Sequence, residues 1–127
     1  MKRRFRESLK YALQGIAACA VSEPHMRLHL LAAAAVVAAG WWLELSCLQW
    51  AAISFAIALV LIAEVVNTAI ERTVDLIVND FHPLAGTAKN LGAGAVLLAA
   101  FNAAVVGLLV LGPKIWEKLL LLEERFR

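Results

Sequence analysis

Three long stretches of this sequence carry no Asp, Glu, Lys or Arg, and they constrain the fold more than any other feature. They comprise 16 residues between Arg27 and Glu44, 19 between Glu44 and Glu64, and 24 between Lys89 and Lys114. A helix needs about 20 apolar residues to span a membrane, within a range of roughly 17–25. The second and third stretches meet this length, and the first is nearly continuous in "LLAAAAVVAAGWWL". The pattern predicts an integral membrane protein with three transmembrane helices.

The composition of the chain supports this prediction. Of its 127 residues, 62% are hydrophobic and only 17% are charged, and the mean hydropathy is +0.76. The hydrophobic fraction and the mean hydropathy are too high for an ordinary soluble domain, and the charged fraction is too low. We therefore expect one all-α membrane domain over residues 1–127, with spans at about 25–43, 48–66 and 90–112 and an interfacial segment at 113–127.

The N-terminal residues 3–20 predict an amphipathic helix that lies on the membrane surface. Phe5, Leu9, Leu13 and Ile16 recur at helical spacing, and charged residues lie on the other side. No apolar run directly follows the basic start "MKRRFR", which is not the pattern of a cleavable signal.

Capping residues, glycine and proline predict where the helices begin and end. Ser, Asn and Asp side chains accept hydrogen bonds from the first free amides of a helix, and proline suits the first turn. The expected boundaries are Ser22 and Pro24 before the first span, Val78 at the end of the second helix, Asn79 or Asp80 with Pro83 before the third, and Gly112–Pro113 after it.

The basic residues predict the orientation in the membrane. Eight of the twelve Lys and Arg residues flank the N-terminal side of the first span or lie between the second and third, two regions that share one face of a three-span protein. By the positive-inside rule, the N-terminus and the region 64–89 are cytoplasmic. Cys19 and Cys47 then fall on opposite faces, so no disulfide between them is expected.

A stripe of polar residues follows the second uncharged stretch, in "AEVVNTAIERTVDLI". On a helix, Asn67, Thr68, Glu71 and Asp75 all lie within about 60° of Glu64 around the axis. Three acids on one face repel one another. The stripe therefore indicates a compensating cation, a metal ion or a titrated proton.

Two further charged residues are expected at the same depth as this stripe. Glu23 stands at the start of the first span and Lys89 at the start of the third. Taken singly, Glu23 is explained by the helix dipole and Lys89 by snorkelling to the interface. Taken together, the groups suit phosphoryl transfer, in which carboxylates hold Mg²⁺, basic side chains neutralise phosphate charge, and a carboxylate takes a proton from an attacking hydroxyl.

The segment "EVVNTAIERTVDL" resembles the central E-x-x-N-[ST]-A-I-E-x-x-x-D motif of small bacterial lipid kinases, the prokaryotic diacylglycerol kinase and undecaprenol kinase family. "HPLAGTAKN", "GAGAVLLAA" and "LKYALQGI" are similar to neighbouring segments of that family, and the match covers roughly residues 4 to 112. The resemblance implies three transmembrane helices and a surface helix per subunit, a homotrimer, and active sites at subunit interfaces near the cytoplasmic face of the bacterial inner membrane.

The resemblance also implies roles for individual residues. Glu64 matches the general base that activates the lipid hydroxyl, while Glu23 and Glu71 match the carboxylates that hold the metal with ATP. Asn67 and Asp75 match supporting polar positions. The positions that match nucleotide contacts are Arg4, Tyr11, Asp80, His82, Lys89 and Asn90.

Three positions bear on how far these roles transfer. The best-known members have Asp where this chain has Asn90, which keeps an acceptor oxygen but loses the charge. His29 stands where an acid can appear, and His82 has an alternative explanation as an ordinary loop residue. The "HPLA" loop resembles versions from Gram-positive bacteria, several of which resemble undecaprenol kinases.

The sequence therefore predicts an enzyme, a Mg²⁺- and ATP-dependent kinase that phosphorylates undecaprenol or diacylglycerol by direct transfer. Its expected partners are the lipid, ATP, the membrane and further copies of itself, with no nucleic acid. A proton- or cation-handling membrane protein is one alternative, although residues 45–63 contain no ionisable group except Cys47. The other alternative is a non-catalytic oligomeric scaffold, which would make no use of the aligned polar stripe.

Overall fold

The computed structural model describes residues 2–78, 80 and 82–125, and every regular element among them is an α-helix. The four helices are α1 (Lys2–Ser22), α2 (Pro24–Trp42), α3 (Cys47–Ile77) and α4 (Pro83–Arg125). The predicted all-α fold is confirmed, as is the end of the second long helix near Val78. α3 and α4 form the main packed pair, α2 contacts both of them, and α1 contacts α2 and α3.

The junction between α1 and α2 differs from the prediction in one respect. α1 continues through Ser22, so the N-cap of α2 is Glu23 and the expectation that Ser22 caps this helix is wrong. Pro24 occupies the first turn as predicted, where its missing amide hydrogen is not needed. The Glu23 amide donates to Cys19 O at 2.9 Å, and its carbonyl accepts from Arg27 N at 3.3 Å. One residue thus joins the end of α1 to the start of α2.

The turn between α2 and α3 is closed by a capping box and an apolar cluster. Ser46 Oγ accepts from Gln49 N at 3.4 Å, and Ser46 N donates to Gln49 Oε1 at 2.9 Å. These bonds satisfy free amides at the start of α3. Leu43, Leu45 and Ile53 are buried together beside them. This end of the α3–α4 pair, which we term the capped end, is held by the capping box and by apolar packing that includes Val106, Val110 and Leu111 of α4.

Two helices, α3 and α4, are long and apolar enough to cross a membrane. Only 28% and 6% of their apolar windows are buried, whereas the core helix of a soluble protein is mostly buried. Phe55, Leu98 and Phe101 are between 69% and 72% exposed, which indicates an apolar environment around the pair. Within the described residues α2 does not pass the same test, so the first of the three predicted spans stays a prediction.

The predicted helix break at Gly112–Pro113 is wrong, because α4 continues through Pro113 to Arg125. A proline inside a helix costs roughly 3 kcal/mol through a lost hydrogen bond and a steric clash. A tertiary contact supports the continuation, since Lys118 Nζ donates to Trp42 O at 2.5 Å and lies 4.6 Å from the Trp42 ring centroid. The predicted interfacial segment is thus a helical extension up to Arg125, and its last residues, 126–127, lie outside the described part of the chain.

α4 begins at Pro83, as predicted, but a different residue caps it. His82 precedes Pro83, and its Nδ1 accepts a hydrogen bond from Leu84 N at 3.3 Å, the interaction of an N-cap side chain. Asp80 lies further from the helix start and does not cap it. The alternative predicted cap, Asn79, lies outside the described residues.

Candidate functional site

The polar end of α3, residues 64–75, is partly enclosed by its neighbours within a single chain. Glu64, Asn67 and Thr68 are 4%, 8% and 5% exposed. Glu71 is half-buried and Asp75 is exposed. The stripe predicted from helical spacing therefore faces the other helices over its first two turns and reaches solvent at Asp75. Burying a carboxylate and an amide is unfavourable unless other groups compensate, which marks this end as more than a packing surface.

Glu64 places a carboxylate where the uncharged part of α3 ends. Within residues 2–78, 80 and 82–125, its side chain takes part in no hydrogen bond or ion pair. In that same range, Asn67 Oδ1 is the one fully enclosed side-chain oxygen or nitrogen that lacks a hydrogen bond, so the Glu64 oxygens retain an opening. A carboxylate in this position is able to accept a proton from a group that enters through the opening.

Asn67 connects the buried part of the stripe to Glu71. Its Nδ2 donates to Glu71 Oε1 at 3.1 Å across one helical turn. Because an ionised carboxylate only accepts hydrogen bonds, this contact fixes which atom of the Asn67 amide faces Glu71. The other amide atom, Oδ1, faces Gly92 of α4. The two predicted positions are therefore in direct contact.

Thr68 joins the polar end of α3 to α1. Its Oγ1 lies 3.4 Å from Sγ of Cys19, and Cys19 is only 3% exposed. Sequence reasoning considered Cys19 only as half of an unlikely disulfide. Its place between small residues in "AACA" was the available indication that this side of α1 packs closely.

Glu23 is held at the polar end by two side chains that were not among the predicted site residues. Ser22 Oγ donates to Glu23 Oε1 at 2.8 Å, and Arg72 donates to the same oxygen at 3.2 Å. Arg72 also donates to Ser22 Oγ, which completes a three-residue network between the α1–α2 junction and α3. The hydrogen bond from Ser22, and then that from Arg72, hold the pKa of the Glu23 carboxyl below its usual value, against the opposing effect of partial burial.

Lys89 and Asp75 form an ion pair where α4 begins to pack on α3. Lys89 Nζ lies 2.5 Å from Asp75 Oδ1. A cavity of about 200 Å³ opens beside the pair, and Asp80 and His82 also line it. The structure thus brings together four of the predicted site residues. The His82 ring contributes its Nδ1 to the helix cap and still borders this cavity.

Three residues that were predicted to contact the nucleotide lie away from the Lys89–Asp75 pair and its cavity. Arg4 and Tyr11 are exposed on α1, with Tyr11 69% exposed, and Asn90 is exposed on α4. In the described part of the chain, no three His, Cys, Asp or Glu side chains converge as a metal site. A bound ion would therefore need ligands beyond the carboxylates of one chain.

Comparison with known proteins gives this arrangement a context. The family model for prokaryotic diacylglycerol kinase matches residues 10–111, which include every predicted site residue except Arg4. The undecaprenol kinase of Bacillus subtilis is 42% identical over 112 residues, covering 88% of this chain and 91% of that protein. A diacylglycerol kinase of Synechocystis sp. is 39% identical over 107 residues, covering 84% and 61%, and that of Escherichia coli K12 is 31% identical over 108 residues, covering 85% and 88%.

Long exposed apolar helices and a carboxylate-rich polar end define a helical membrane enzyme of the lipid kinase class. The chain belongs to the prokaryotic diacylglycerol kinase family. Membership of a kinase family implies a nucleotide as phosphoryl donor, and the lipid kinase predicted from the motif is confirmed at this level.

Proposed function

We propose that this chain transfers the γ-phosphoryl group of ATP to the hydroxyl group of a membrane lipid alcohol in a Mg²⁺-dependent reaction. Glu64 carries the proposal, because it is a buried carboxylate without a hydrogen bond in the described residues, at the point where the apolar part of α3 ends. A hydroxyl group that arrives from the bilayer meets α3 at this depth. The distribution of Lys and Arg supports our proposal that this end and the N-terminus face the cytoplasm of a multi-pass protein, and the family resemblance supports placing it in the bacterial inner membrane.

Undecaprenol is the substrate that we propose first, with diacylglycerol as the alternative. The relative that is 42% identical is named undecaprenol kinase, whereas the relatives at 39% and 31% are named diacylglycerol kinase. Both lipids present one hydroxyl group at the polar end of long hydrocarbon chains. Either would place that group at the membrane surface, where Glu64 lies in the proposed topology.

In the proposed reaction, Glu64 removes the proton from the lipid hydroxyl as its oxygen attacks the γ-phosphorus of ATP. A new P–O bond forms to the lipid, the bond from the γ-phosphorus to the bridging oxygen breaks, and ADP leaves with that electron pair. Such a transfer needs positioning and neutralisation of charge rather than a covalent enzyme intermediate. Lys89 supplies positive charge near the phosphates, and Asp75 orients it through their 2.5 Å contact.

Glu23 and Glu71 fit the metal that this reaction requires. Glu23 Oε1 accepts hydrogen bonds from Ser22 and Arg72. Glu71 Oε1 accepts one from Asn67. Each leaves Oε2 without a hydrogen bond inside the described ranges. Hydrogen bonds to one oxygen of a carboxylate orient the other toward a metal. Mg²⁺ is commonly held by one or two carboxylates together with phosphate oxygens, and when bound it neutralises charge on those oxygens.

The nucleotide site would combine residues from more than one subunit. Asp80 and His82 border the cavity beside Lys89 and would contact the nucleotide there, and Asn90 would reach it from an exposed position on α4 outside that cavity. Arg4 and Tyr11 are exposed on α1, away from that cavity. A homotrimer, proposed from the family resemblance, would bring α1 residues of one copy to the polar end of another.

Identification of the phosphorylated lipid tests this proposal. The purified protein, in mixed lipid with Mg²⁺ and terminally labelled ATP, would be offered undecaprenol and diacylglycerol together. We expect label in undecaprenol and none when Mg²⁺ is chelated. Label in diacylglycerol alone would reverse our choice of substrate. A folded protein that binds Mg·ATP but labels neither lipid would contradict both assignments.

A further inference from the structure

We propose that Gly92 is a positioning residue for the contact between Asn67 and Glu71. The absence of a side chain at Gly92 leaves the space that the Asn67 amide needs in order to donate to Glu71. This inference rests on the proposed function, in which Glu71 holds the metal. It extends that function to a residue of α4 that touches neither substrate nor metal.

The close approach of α4 to α3 at Gly92 is the observation that carries the inference. A Cβ atom added to Gly92 would lie 2.5 Å from Asn67 Oδ1, whereas real Cβ atoms essentially never approach another atom closer than 3.0 Å. The glycine hydrogen lies in that direction, where it is able to make a weak Cα–H···O contact with Oδ1. This contact serves an enclosed oxygen that has no hydrogen bond within the described residues.

A methyl group at position 92 would displace the Asn67 amide rather than separate the helices. Oδ1 is the end of a side chain, and Gly92 Cα is part of a helical backbone. Relieving the conflict requires a shift of at least 0.5 Å, the difference between 2.5 Å and 3.0 Å. Because the amide is planar and Asn67 is buried, moving Oδ1 also moves Nδ2, which lies 3.1 Å from Glu71 Oε1. That distance is already near the long end of hydrogen bonds, so a shift of this size away from Glu71 breaks the bond.

The same part of α4 also carries Lys89, one helical turn before Gly92. Lys89 contacts Asp75 of α3 at 2.5 Å. The helices are thus joined at this level by an ion pair at the surface and by the Gly92–Asn67 contact in the interior. A disturbance confined to the interior contact would leave the ion pair in place.

The chain offers a matched control at Gly94. It lies in the same helix, and a Cβ atom there would meet nothing within 4 Å. Replacing either glycine by alanine brings the same gain in helix propensity. Any difference between Gly92→Ala and Gly94→Ala therefore reports the contact with Asn67.

The test uses the full-length protein in lipid and compares Gly92→Ala, Gly94→Ala, Asn67→Ala and the double variant Gly92→Ala/Asn67→Ala. Binding of Mn²⁺, in place of Mg²⁺, would be measured by electron paramagnetic resonance, together with the Mg²⁺ dependence of lipid phosphorylation. We expect Gly92→Ala to raise the Mg²⁺ concentration for half-maximal rate and the Mn²⁺ dissociation constant by about 10–100-fold, as for lost support of a metal ligand. The KM for lipid and the melting temperature should match those of Gly94→Ala, and the double variant should resemble Asn67→Ala alone.

Distinct outcomes would overturn different parts of this scheme. Equal behaviour of Gly92→Ala and Gly94→Ala, with Asn67→Ala impaired, would overturn the inference and leave the proposed function standing. An unimpaired Asn67→Ala would overturn both the inference and the proposed role of the Asn67–Glu71 contact. If Gly92→Ala failed to fold, recovery of folding in the double variant would support the steric conflict, and continued failure would contradict it.

Discussion

The capped end and the polar end of the α3–α4 pair are built on different principles. At the capped end, Leu43, Leu45 and Ile53 exclude water together, and Ser46 satisfies its neighbouring amides. At the polar end, a carboxylate and an amide are buried, and one enclosed amide oxygen lacks a hydrogen bond within the described residues. Maximum stability does not favour the second arrangement. The capped end thus serves the fold, whereas the polar end carries groups that our proposed function uses for chemistry.

The two ends also differ in the chemistry of the contacts that join their helices. At the capped end, the capping box joins residues three positions apart, and the apolar side chains of Val106, Val110 and Leu111 of α4 pack on the buried cluster. At the polar end, Arg72 of α3 contacts Glu23, and Thr68 contacts Cys19 of α1. The polar end is therefore assembled by tertiary packing, and a small displacement of α1 or α4 would change it.

Apart from replacement of Glu64, the proposed general base, the largest effect that separates the two ends is expected from Glu71→Gln. Glutamine keeps the shape of Glu71 and an acceptor for Asn67 but removes the charge that would hold Mg²⁺. We expect phosphoryl transfer at fixed Mg²⁺ to fall by about 10²–10³-fold, the effect of losing one electrostatic group that supports a transition state. Initial rates and Mn²⁺ binding measure this, with Glu117→Gln, at an exposed position far along α4, as the control. A wild-type rate across the Mg²⁺ range would remove Glu71 from the site.

A stability effect without a catalytic one is expected at the capped end from Ile53→Ala. Ile53 is 2% exposed, and truncating such a residue costs about 2–5 kcal/mol of unfolding free energy. The rate per folded molecule should stay unchanged. The unfolding free energy would be measured in mixed micelles with increasing amounts of a denaturing detergent. The rate per folded molecule would be measured at low denaturant. Phe55→Ala, at a site that is 71% exposed, should cost less. Altered Mg²⁺ dependence in Ile53→Ala would break the distinction between the ends.

The smallest effect is expected from changing the network around Glu23. A carboxyl group whose pKa is lower in the folded than in the unfolded chain stabilises the fold above the unfolded pKa. That stabilisation is lost as pH falls through the folded pKa. Removing the contact from Ser22 or Arg72 should raise the folded pKa of Glu23 toward its unfolded value, so the variants should be less stable than wild type at neutral pH, and this difference should shrink as pH falls. Melting temperatures of Ser22→Ala and Arg72→Gln between acidic and neutral pH measure this, against Arg27→Gln as the control. Superimposable curves for all variants would show that the network does not hold Glu23.

Helical periodicity predicted those features of the polar end that lie on one helix. Residues 64, 67, 68 and 71 share a face because of their spacing alone, and the Asn67–Glu71 contact follows from a separation of four residues. The all-helical fold and the presence of two helices long enough to cross a membrane followed from uncharged runs in the same way. These features depend on local geometry, which the sequence expresses directly.

Features that depend on how helices meet could not be predicted in this way. The contact of Arg72 with Ser22 and Glu23 spans about fifty positions, and nothing in the spacing of α3 places α1 beside it. The helix through Pro113 was missed because its supporting contact, Lys118 on Trp42, is also a tertiary one. Ser22 was expected to cap α2, but it continues α1 and donates to Glu23 instead.

The most direct test of the central claim is the rate of lipid phosphorylation by Glu64→Gln. The variant would be assayed in lipid against wild type and Glu117→Gln, with protection from heat by Mg·ATP as a check on nucleotide binding. If Glu64 is the general base, the rate should fall by about 10²–10⁴-fold while Mg·ATP still protects the protein. An unchanged rate in a stably assembled Glu64→Gln protein would contradict the assignment of Glu64 and, with it, our account of the polar end as a catalytic site.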